Sequence, residues 1–138
     1  MSFNTKGLMS SIKQDWTTPK DFYNKLNEEF NFDFDPCPTN PSFDGLKIEW
    51  KERNFVNPPY NSQKDWILKA IEESKKGKLS VLLIPARTDT KVFHEYIYGK
   101  YEIRFIKGRL KFGGGKGSAP FPSMLVIIKE LKEEGVEK

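Results

Sequence analysis

A short apolar segment, residues 79–84, is the sequence feature that most constrains how this chain can fold. Five of its six residues are apolar, and Pro85 follows directly. A strand that is apolar along most of its length is typical of the centre of a sheet whose two faces are both covered. The segment therefore predicts a central, buried β-strand, with Arg87 and Asp89 just beyond its carboxyl end.

Helical patterns alternate with short strand patterns around this segment. In the first helix Phe22, Leu26 and Phe30 recur four residues apart, with Thr18 as the N-cap and Pro19 at the first helical position. The other predicted elements are a helix that begins after Asn61 or Ser62 and ends at Gly77, a helix around 92–97 that ends near Gly99, and strands at 32–35, 46–50, 55–56, 101–105, 109–112 and 124–128. The strand-rich second half predicts an α/β fold with a mixed sheet that ends in antiparallel strands.

The length and composition limit the class of protein. A chain of 138 residues with 37% hydrophobic and 14% aromatic residues predicts one globular domain, flanked by a polar arm at 1–14 and a charged tail at 130–138. A single Cys and a single His exclude an internal disulfide and a Cys-built zinc site, and they predict no metal cluster. The chain has neither an apolar run of membrane-spanning length nor an apolar signal core near its start, so we expect a soluble, cytoplasmic protein.

The positive charge of the chain is concentrated in one segment. Residues 99–117 carry six basic residues and one acid, a net charge of +5 in a chain whose formal charge is +4. Such a segment can attract an anionic polymer such as a nucleic acid, although a solvated strand surface would have the same composition.

The motif Asn57-Pro58-Pro59-Tyr60 lies between a short apolar strand and a helix. Two consecutive prolines fix the backbone and remove two N–H donors, so the turn is rigid. The motif should therefore present an amide, a carbonyl and an aromatic ring at the carboxyl end of a strand, where open α/β sheets bind their ligands.

These groups suit one particular chemistry. The exocyclic amine of a purine is a poor nucleophile, because its lone pair is delocalised into the ring. If the side-chain oxygen of Asn57 and the carbonyl of Pro58 accept both amine protons, the nitrogen is drawn toward tetrahedral geometry. Tyr60 can stack on the base, which must come from a single strand or be extruded from a duplex. The alternative interpretation is a rigid loop with a chance Asn.

A second candidate motif is Asp35-Pro36-Cys37-Pro38, which follows the predicted strand at 32–35. A carboxylate at the end of a first strand can meet the ribose or amino group of a cofactor. The alternative is an Asp that only caps a loop.

Together the motifs resemble those of the phage-type DNA adenine-N6 methyltransferases, the Dam-like family. The resemblance covers residues 15–129, which we predict to be the methyltransferase domain, and it rests on Trp16-Thr17-Thr18-Pro19, Phe34-Asp35-Pro36-Cys37, Asp44-Gly45-Leu46 with Trp50, Asn57-Pro58-Pro59-Tyr60 and the segment 106–112. It implies a compact Rossmann-like class I methyltransferase fold and S-adenosylmethionine as the methyl donor. It also implies DNA as the partner of a cytoplasmic phage or prophage protein, which is a monomer or homodimer.

The resemblance also implies roles for individual residues. The catalytic corner that holds the target adenine is Asn57, Pro58, Pro59 and Tyr60. The cofactor-binding residues are Trp16, Thr17, Thr18, Pro19, Asp35, Pro36 and Cys37, with Asp44 as a further candidate for the acid that binds the ribose hydroxyls. The DNA-binding residues are Lys107, Arg109, Lys111 and Lys116, and no metal is implied.

Two alternatives remain open at this point. Motifs of the form Asn-Pro-Pro-Tyr also serve methylation of RNA bases and of glutamine side chains. In addition, Pro38-Thr39-Asn40-Pro41 stands where many methyltransferases have a Gly-rich turn. A non-catalytic nucleic-acid-binding module is therefore a third hypothesis.

Overall fold

The protein combines a four-stranded mixed sheet with helices. A computed structural model describes residues 17–38, 41–112, 119 and 121–131. Within these ranges the elements in chain order are α1 (Lys20–Phe30), β1 (Arg53–Val56), α2 (Gln63–Ser74), β2 (Leu79–Pro85), the π-helical segment α3 (Phe93–Ile97), β3 (Glu102–Phe105) and β4 (Ser123–Ile128). The predicted arm at 1–14 and most of the tail at 130–138 lie outside the described residues.

The sheet has the strand order β1-β2-β4-β3. β1 and β2 are parallel, with Phe55 opposite Val81, and α2 connects them. β4 is antiparallel to both of its neighbours, β2 and β3. The prediction of an α/β fold with antiparallel strands at its end is therefore confirmed. Because β1 and β2 are parallel, their carboxyl ends meet at one edge of the sheet, and we call this the ligand edge.

β2 forms the centre of the core, as its apolar sequence predicts. Residues 80–85 are all buried, and successive side chains point to opposite faces of the sheet. On one face Val81 and Leu83 belong to a cluster that includes Leu26 and Phe30 of α1. On the other face Leu82 and Ile84 pack in a cluster with residues of α2 and α3, including Trp66, Ile67, Ala70, Phe93 and Ile97.

Three predicted strands differ in the structure. At 32–35 the pairing is limited to one parallel bridge between Phe34 and Asn54 beside β1. At 46–50 the chain forms turns, because the carboxylates of Asp44 and Glu73 accept the backbone N–H groups of Leu46 and Trp50. At 109–112 no hairpin forms, because β4 instead pairs with β3 and the Leu110 carbonyl accepts from the Ala119 N–H at 2.8 Å.

A buried ionic network lies at the sheet edge opposite the ligand edge. The fully buried carboxylate of Glu73, near the end of α2, accepts hydrogen bonds from Lys69 and Lys78 at 2.9 Å each. It also accepts the Trp50 N–H at 3.2 Å, and Lys78 contacts Glu49 at 2.9 Å. Burial alone would raise the pKa of Glu73, but the hydrogen bonds from Lys69, Lys78 and Trp50 outweigh it and lower the pKa from 4.5 to about 2. The network thus joins α2 to the segments that precede β1 and β2.

Replacing Glu73 with glutamine should destabilise the fold at neutral pH by about 2–3 kcal/mol, because the buried ammonium of Lys78 loses a charged partner. A carboxylate whose pKa is lowered on folding contributes stability above its unfolded pKa and loses it as the pH falls toward the folded pKa. The difference between wild type and variant should therefore shrink from pH 4.5 to pH 2. Urea unfolding across this range measures the effect, with the exposed Glu72→Gln as control. A difference that does not change with pH would contradict this role.

Candidate active site

The Asn57-Pro58-Pro59-Tyr60 corner lies at the ligand edge, as predicted. β1 ends at Val56, Tyr60 begins a turn and α2 begins at Gln63. The carbonyl of Pro59 accepts the Ser62 N–H at 3.2 Å, so the turn uses this carbonyl and not the neighbouring carbonyl of Pro58. The corner therefore connects the end of a buried strand to the start of a helix through a fixed turn.

The amide of Asn57 contacts the segment that precedes α1. Its Nδ2 donates a hydrogen bond of 2.9 Å to Oγ1 of Thr18. The prediction that Thr18 is an N-cap is wrong: Pro19 occupies that position, and its carbonyl accepts the Tyr23 N–H at 3.0 Å. The bond from Asn57 orients the amide with its nitrogen toward Thr18. A residue predicted from the N-terminal motif thus contacts the catalytic corner, while Thr17 is exposed and Trp16 lies outside the described residues.

The ring of Tyr60 lies at the exposed end of a group of three aromatic rings. It is 47% exposed and stacks on Phe121 with a centroid distance of 5.7 Å and an angle of 23°. Phe121 in turn lies 6.5 Å from Phe112. The hydroxyl of Tyr60 accepts a hydrogen bond of 2.6 Å from Nη2 of Arg87, which follows β2. Sequence reasoning did not assign Phe121 or Arg87 to the site, because only the fold brings their distant segments to Tyr60.

Two cavities border the corner. One has a volume of about 270 Å³ and lies beside Tyr60, between α2, α3 and the adjoining strands; Gln63, Arg87 and Thr90 are its polar lining residues. The other has a volume of about 570 Å³ and is lined by Pro36, Cys37, Pro38, Pro41, Ser42, Phe43, Asp44, Gly45, Pro59 and Trp66. Two adjacent residues of the motif therefore line different cavities, Pro59 the larger one and Tyr60 the smaller one.

The larger cavity brings together residues predicted from two separate motifs. Pro36, Cys37 and Asp44 all line it, next to Pro59 of the corner. Asp35 accepts the Cys37 N–H at 2.9 Å, so its carboxylate also shapes the loop. Asp44 accepts the Leu46 N–H at 3.0 Å and is exposed, whereas Cys37 is buried. Asp44 thus lines the cavity and also holds a turn, whereas Asp35 holds the loop that lines the cavity.

Gly45 allows the two loops of the larger cavity to approach each other. A β-carbon added at Gly45 would overlap the carbonyl oxygen of Pro36 and lie 2.8 Å from the ring of Trp66. The Gly45 carbonyl also accepts the indole N–H of Trp50 at 2.7 Å. Only a residue without a side chain fits here, so Gly45 determines the shape of the cavity wall.

The predicted DNA-binding residues are exposed where the structure describes them. Lys107, Arg109 and Lys111 are exposed, and none takes part in an ion pair among the described residues. Lys116 lies outside the described residues. The charge of the segment is smaller than its composition predicts, because Arg104 pairs with Glu102 at 2.7 Å and makes two bonds to Glu29 at 2.8 and 2.7 Å.

Comparison with known proteins gives the family. The family model described as DNA N-6-adenine-methyltransferase (Dam) matches residues 5–137. A protein named "DNA N-6-adenine-methyltransferase" from Haemophilus phage HP1 (strain HP1c1) is 29% identical over an alignment of 146 positions. The alignment covers 91% of this chain and 83% of the phage protein. No solved structure matches the chain.

The chain belongs to the Dam family of adenine-specific DNA methyltransferases, as the sequence motifs predicted. Within the described ranges, no helix is both long and apolar enough to cross a membrane. The family gives the class of enzyme.

Proposed function

We propose that this protein transfers a methyl group from S-adenosylmethionine to the N6 amine of adenine in DNA by direct displacement. One observation carries the proposal: adjacent residues of the Asn57-Pro58-Pro59-Tyr60 corner line two different cavities, Pro59 the larger one and Tyr60 the smaller one. In this proposal the methyl donor binds on the Pro59 side and the target base binds on the Tyr60 side.

Asn57 and Pro58 activate the amine by accepting hydrogen bonds from its two N–H groups. The hydrogen bond from Asn57 Nδ2 to Thr18 supports this role, because it turns the amide nitrogen toward Thr18 and so fixes the direction in which Oδ1 points. The Ser62 N–H binds the Pro59 carbonyl and not the Pro58 carbonyl, which is consistent with a substrate-binding role for Pro58. The two oxygens need not reorganise during the reaction, and such preorganisation is a large source of rate enhancement.

Tyr60 provides a stacking surface for the adenine. Its half-exposed ring is already held parallel to Phe121 and bonded through its hydroxyl to Arg87. A base inside a duplex cannot reach such a surface, so the enzyme acts on an extruded or single-stranded adenine. Lys107, Arg109 and Lys111, together with Lys116, bind the DNA backbone.

The residues of the larger cavity fit S-adenosylmethionine. A volume of about 570 Å³ is within the usual range of small-molecule sites, and the lining combines an exposed carboxylate, Asp44, with the aromatic rings of Phe43 and Trp66. Aromatic faces and acids suit a cationic ligand. When bound, S-adenosylmethionine supplies an electrophilic methyl group on a sulfonium. The residues that hold it come from two parts of the chain. One set is Asp35, Pro36, Cys37 and Asp44, and the other is the N-terminal motif Trp16, Thr17, Thr18 and Pro19.

The proposal extends to the organisation of the protein. Residues 15–129 form the methyltransferase domain, with a compact Rossmann-like class I fold. The parallel pair β1 and β2, connected by α2, is consistent with that fold. We further propose that the protein acts in the cytoplasm of a bacterial host of a phage or prophage, as a monomer or homodimer.

Thr18→Val should lower kcat about 2- to 10-fold, because the variant keeps the shape of the side chain but removes the acceptor for the Asn57 amide. Thr18→Ser, which keeps the hydroxyl, should retain most of the activity. Steady-state methyl transfer to DNA measures both. Equal losses in the two variants would show that the hydroxyl does not orient Asn57.

The substrate class can be tested by offering labelled S-adenosylmethionine with DNA, with RNA of the same sequence, and with a glutamine-containing peptide. The proposal predicts label in DNA. Label confined to RNA or to the peptide would replace DNA by that substrate. Calorimetry with S-adenosylmethionine alone should give one-site binding, and no binding by the folded protein would favour a non-catalytic module.

A further inference from the structure

Arg87 is an exposed cation held against the aromatic ring of the catalytic corner. It lies two residues beyond β2, at the ligand edge, and its Nη2 donates to the Tyr60 hydroxyl at 2.6 Å. Its Cζ lies 5.6 Å from the centroid of the Tyr60 ring. The guanidinium therefore lies over the ring while it binds the hydroxyl, and both contacts hold the orientation of the ring on which a base would stack.

The backbone around Arg87 is held on both sides. The Arg87 N–H donates to the Pro85 carbonyl at 2.9 Å, and the hydroxyl of Thr90 donates to the Arg87 carbonyl at 3.0 Å. The neighbouring Ala86 N–H donates to the Pro122 carbonyl, next to Phe121, at 2.8 Å. The side chain thus starts from a fixed point close to both rings of the aromatic pair.

Arg87 has capacity for an anionic ligand. A guanidinium carries five N–H donors in a planar fork, and the contact with Tyr60 uses one nitrogen. Within the described ranges no carboxylate pairs with Arg87, whereas Arg104 is paired with Glu29 and Glu102. The remaining donors of Arg87 match the geometry of a phosphate group.

A row of aromatic rings connects Arg87 to the predicted DNA-binding segment. Phe112 follows Lys111 directly in the sequence. The centroid of its ring lies 6.5 Å from that of Phe121, which in turn lies 5.7 Å from that of Tyr60. Arg87 stands beside Tyr60 at the exposed end of this row, whereas Phe112 at the other end is buried and follows the exposed Lys111 in the sequence. An exposed aromatic ring next to a cation is a usual feature of sites for unpaired nucleic-acid strands.

We propose that Arg87 binds a backbone phosphate of the DNA strand that carries the target adenine while it holds the Tyr60 hydroxyl. This inference rests on the proposed function and adds a second contact point for the DNA, beyond Lys107, Arg109, Lys111 and Lys116. The guanidinium would link the position of the strand to the position of the stacking ring. An adenine reaches Tyr60 in the correct orientation only when its own strand is held at Arg87.

The test compares DNA binding by the wild type, Arg87→Ala and Lys75→Ala over a range of salt concentrations. Lys75 is exposed at the end of α2, at the opposite edge of the sheet, and its replacement removes the same charge. One phosphate contact contributes about 0.7 to 0.9 to the slope of log K against log salt. Arg87→Ala should reduce the magnitude of this negative slope by that amount, and Lys75→Ala should leave the slope unchanged.

Two further variants separate the phosphate contact from simple packing on Tyr60. Tyr60→Phe removes the hydroxyl and should keep the full salt slope, and adding Arg87→Ala to it should lower the slope as in the single variant. Arg87→Lys should keep most of the slope. A folded Arg87→Ala protein with the slope of the wild type would overturn the proposal. The measurement needs no turnover, so failure of methyl transfer would count against the proposed function and not against this contact.

Discussion

Replacing Asn57 with alanine will lower kcat for DNA methylation about 10²- to 10³-fold and leave the affinity for S-adenosylmethionine within a few-fold of the wild type. The magnitude is that of removing one preorganised hydrogen-bonding group from a reacting centre. The amide is aligned by Thr18 at 2.9 Å and follows β1 directly, so its removal takes away an acceptor for the amine without changing the larger cavity. Single-turnover methyl transfer measures the loss of rate, and calorimetry measures the affinity for S-adenosylmethionine.

Asn61→Ala is the matched control, because Asn61 is an exposed asparagine in the turn that follows the corner. It should retain near-normal activity. If Asn57→Ala instead abolished binding of S-adenosylmethionine by a folded protein, Asn57 would belong to the cofactor site and the assignment of the corner to the adenine would be wrong.

Gly45→Ala should weaken S-adenosylmethionine binding at least tenfold and destabilise the protein by about 1–3 kcal/mol. The added methyl group cannot fit, because it would overlap the Pro36 carbonyl oxygen and crowd the Trp66 ring. Overpacking of this kind forces the backbone to move, and this movement typically destabilises a protein by about 1–3 kcal/mol. The segments that must move, around Pro36 and Gly45, line the larger cavity, so the loss of stability and the loss of affinity should appear together.

Gly77→Ala provides the comparison. Gly77 has a φ of +88°, so alanine is strained there too, but nothing lies within 4 Å of the added carbon and the residue follows α2 at the far edge of the sheet. It should lower the unfolding free energy without changing the affinity for S-adenosylmethionine. A similar loss of affinity in both variants would mean that general destabilisation, and not the cavity wall, explains the effect of Gly45→Ala.

The parts of the fold that could be predicted from the sequence are those determined by local pattern. β2 was predictable because nearly every residue in it is apolar, and α1 because its apolar residues recur every four positions up to Asn31, which adopts the left-handed conformation at the helix end. The corner was predictable because consecutive prolines and the flanking strand and helix fix its setting. In each case residues close together in the sequence determine the local structure.

The failed predictions depended on partners elsewhere in the chain. Alternation at 46–50 does not give a strand, because the Trp50 N–H binds Glu73 and its indole binds Gly45. The same limit applies to charge: Arg104 counts as a basic residue in the sequence, but Glu29, 75 residues away, neutralises it in the fold. Arg87 joins the site because β2 is the neighbour of β1, and Phe121 joins it because β4 is the neighbour of β2.

The central claim is that the corner methylates adenine, and the most direct test is nucleoside analysis of DNA after incubation with labelled S-adenosylmethionine. Wild-type protein should yield labelled N6-methyl-2′-deoxyadenosine, and Asn57→Ala should yield about a hundredth of it or less. Label in a different nucleoside, or no labelled N6-methyl-2′-deoxyadenosine from any DNA with folded wild-type protein, would contradict the claim.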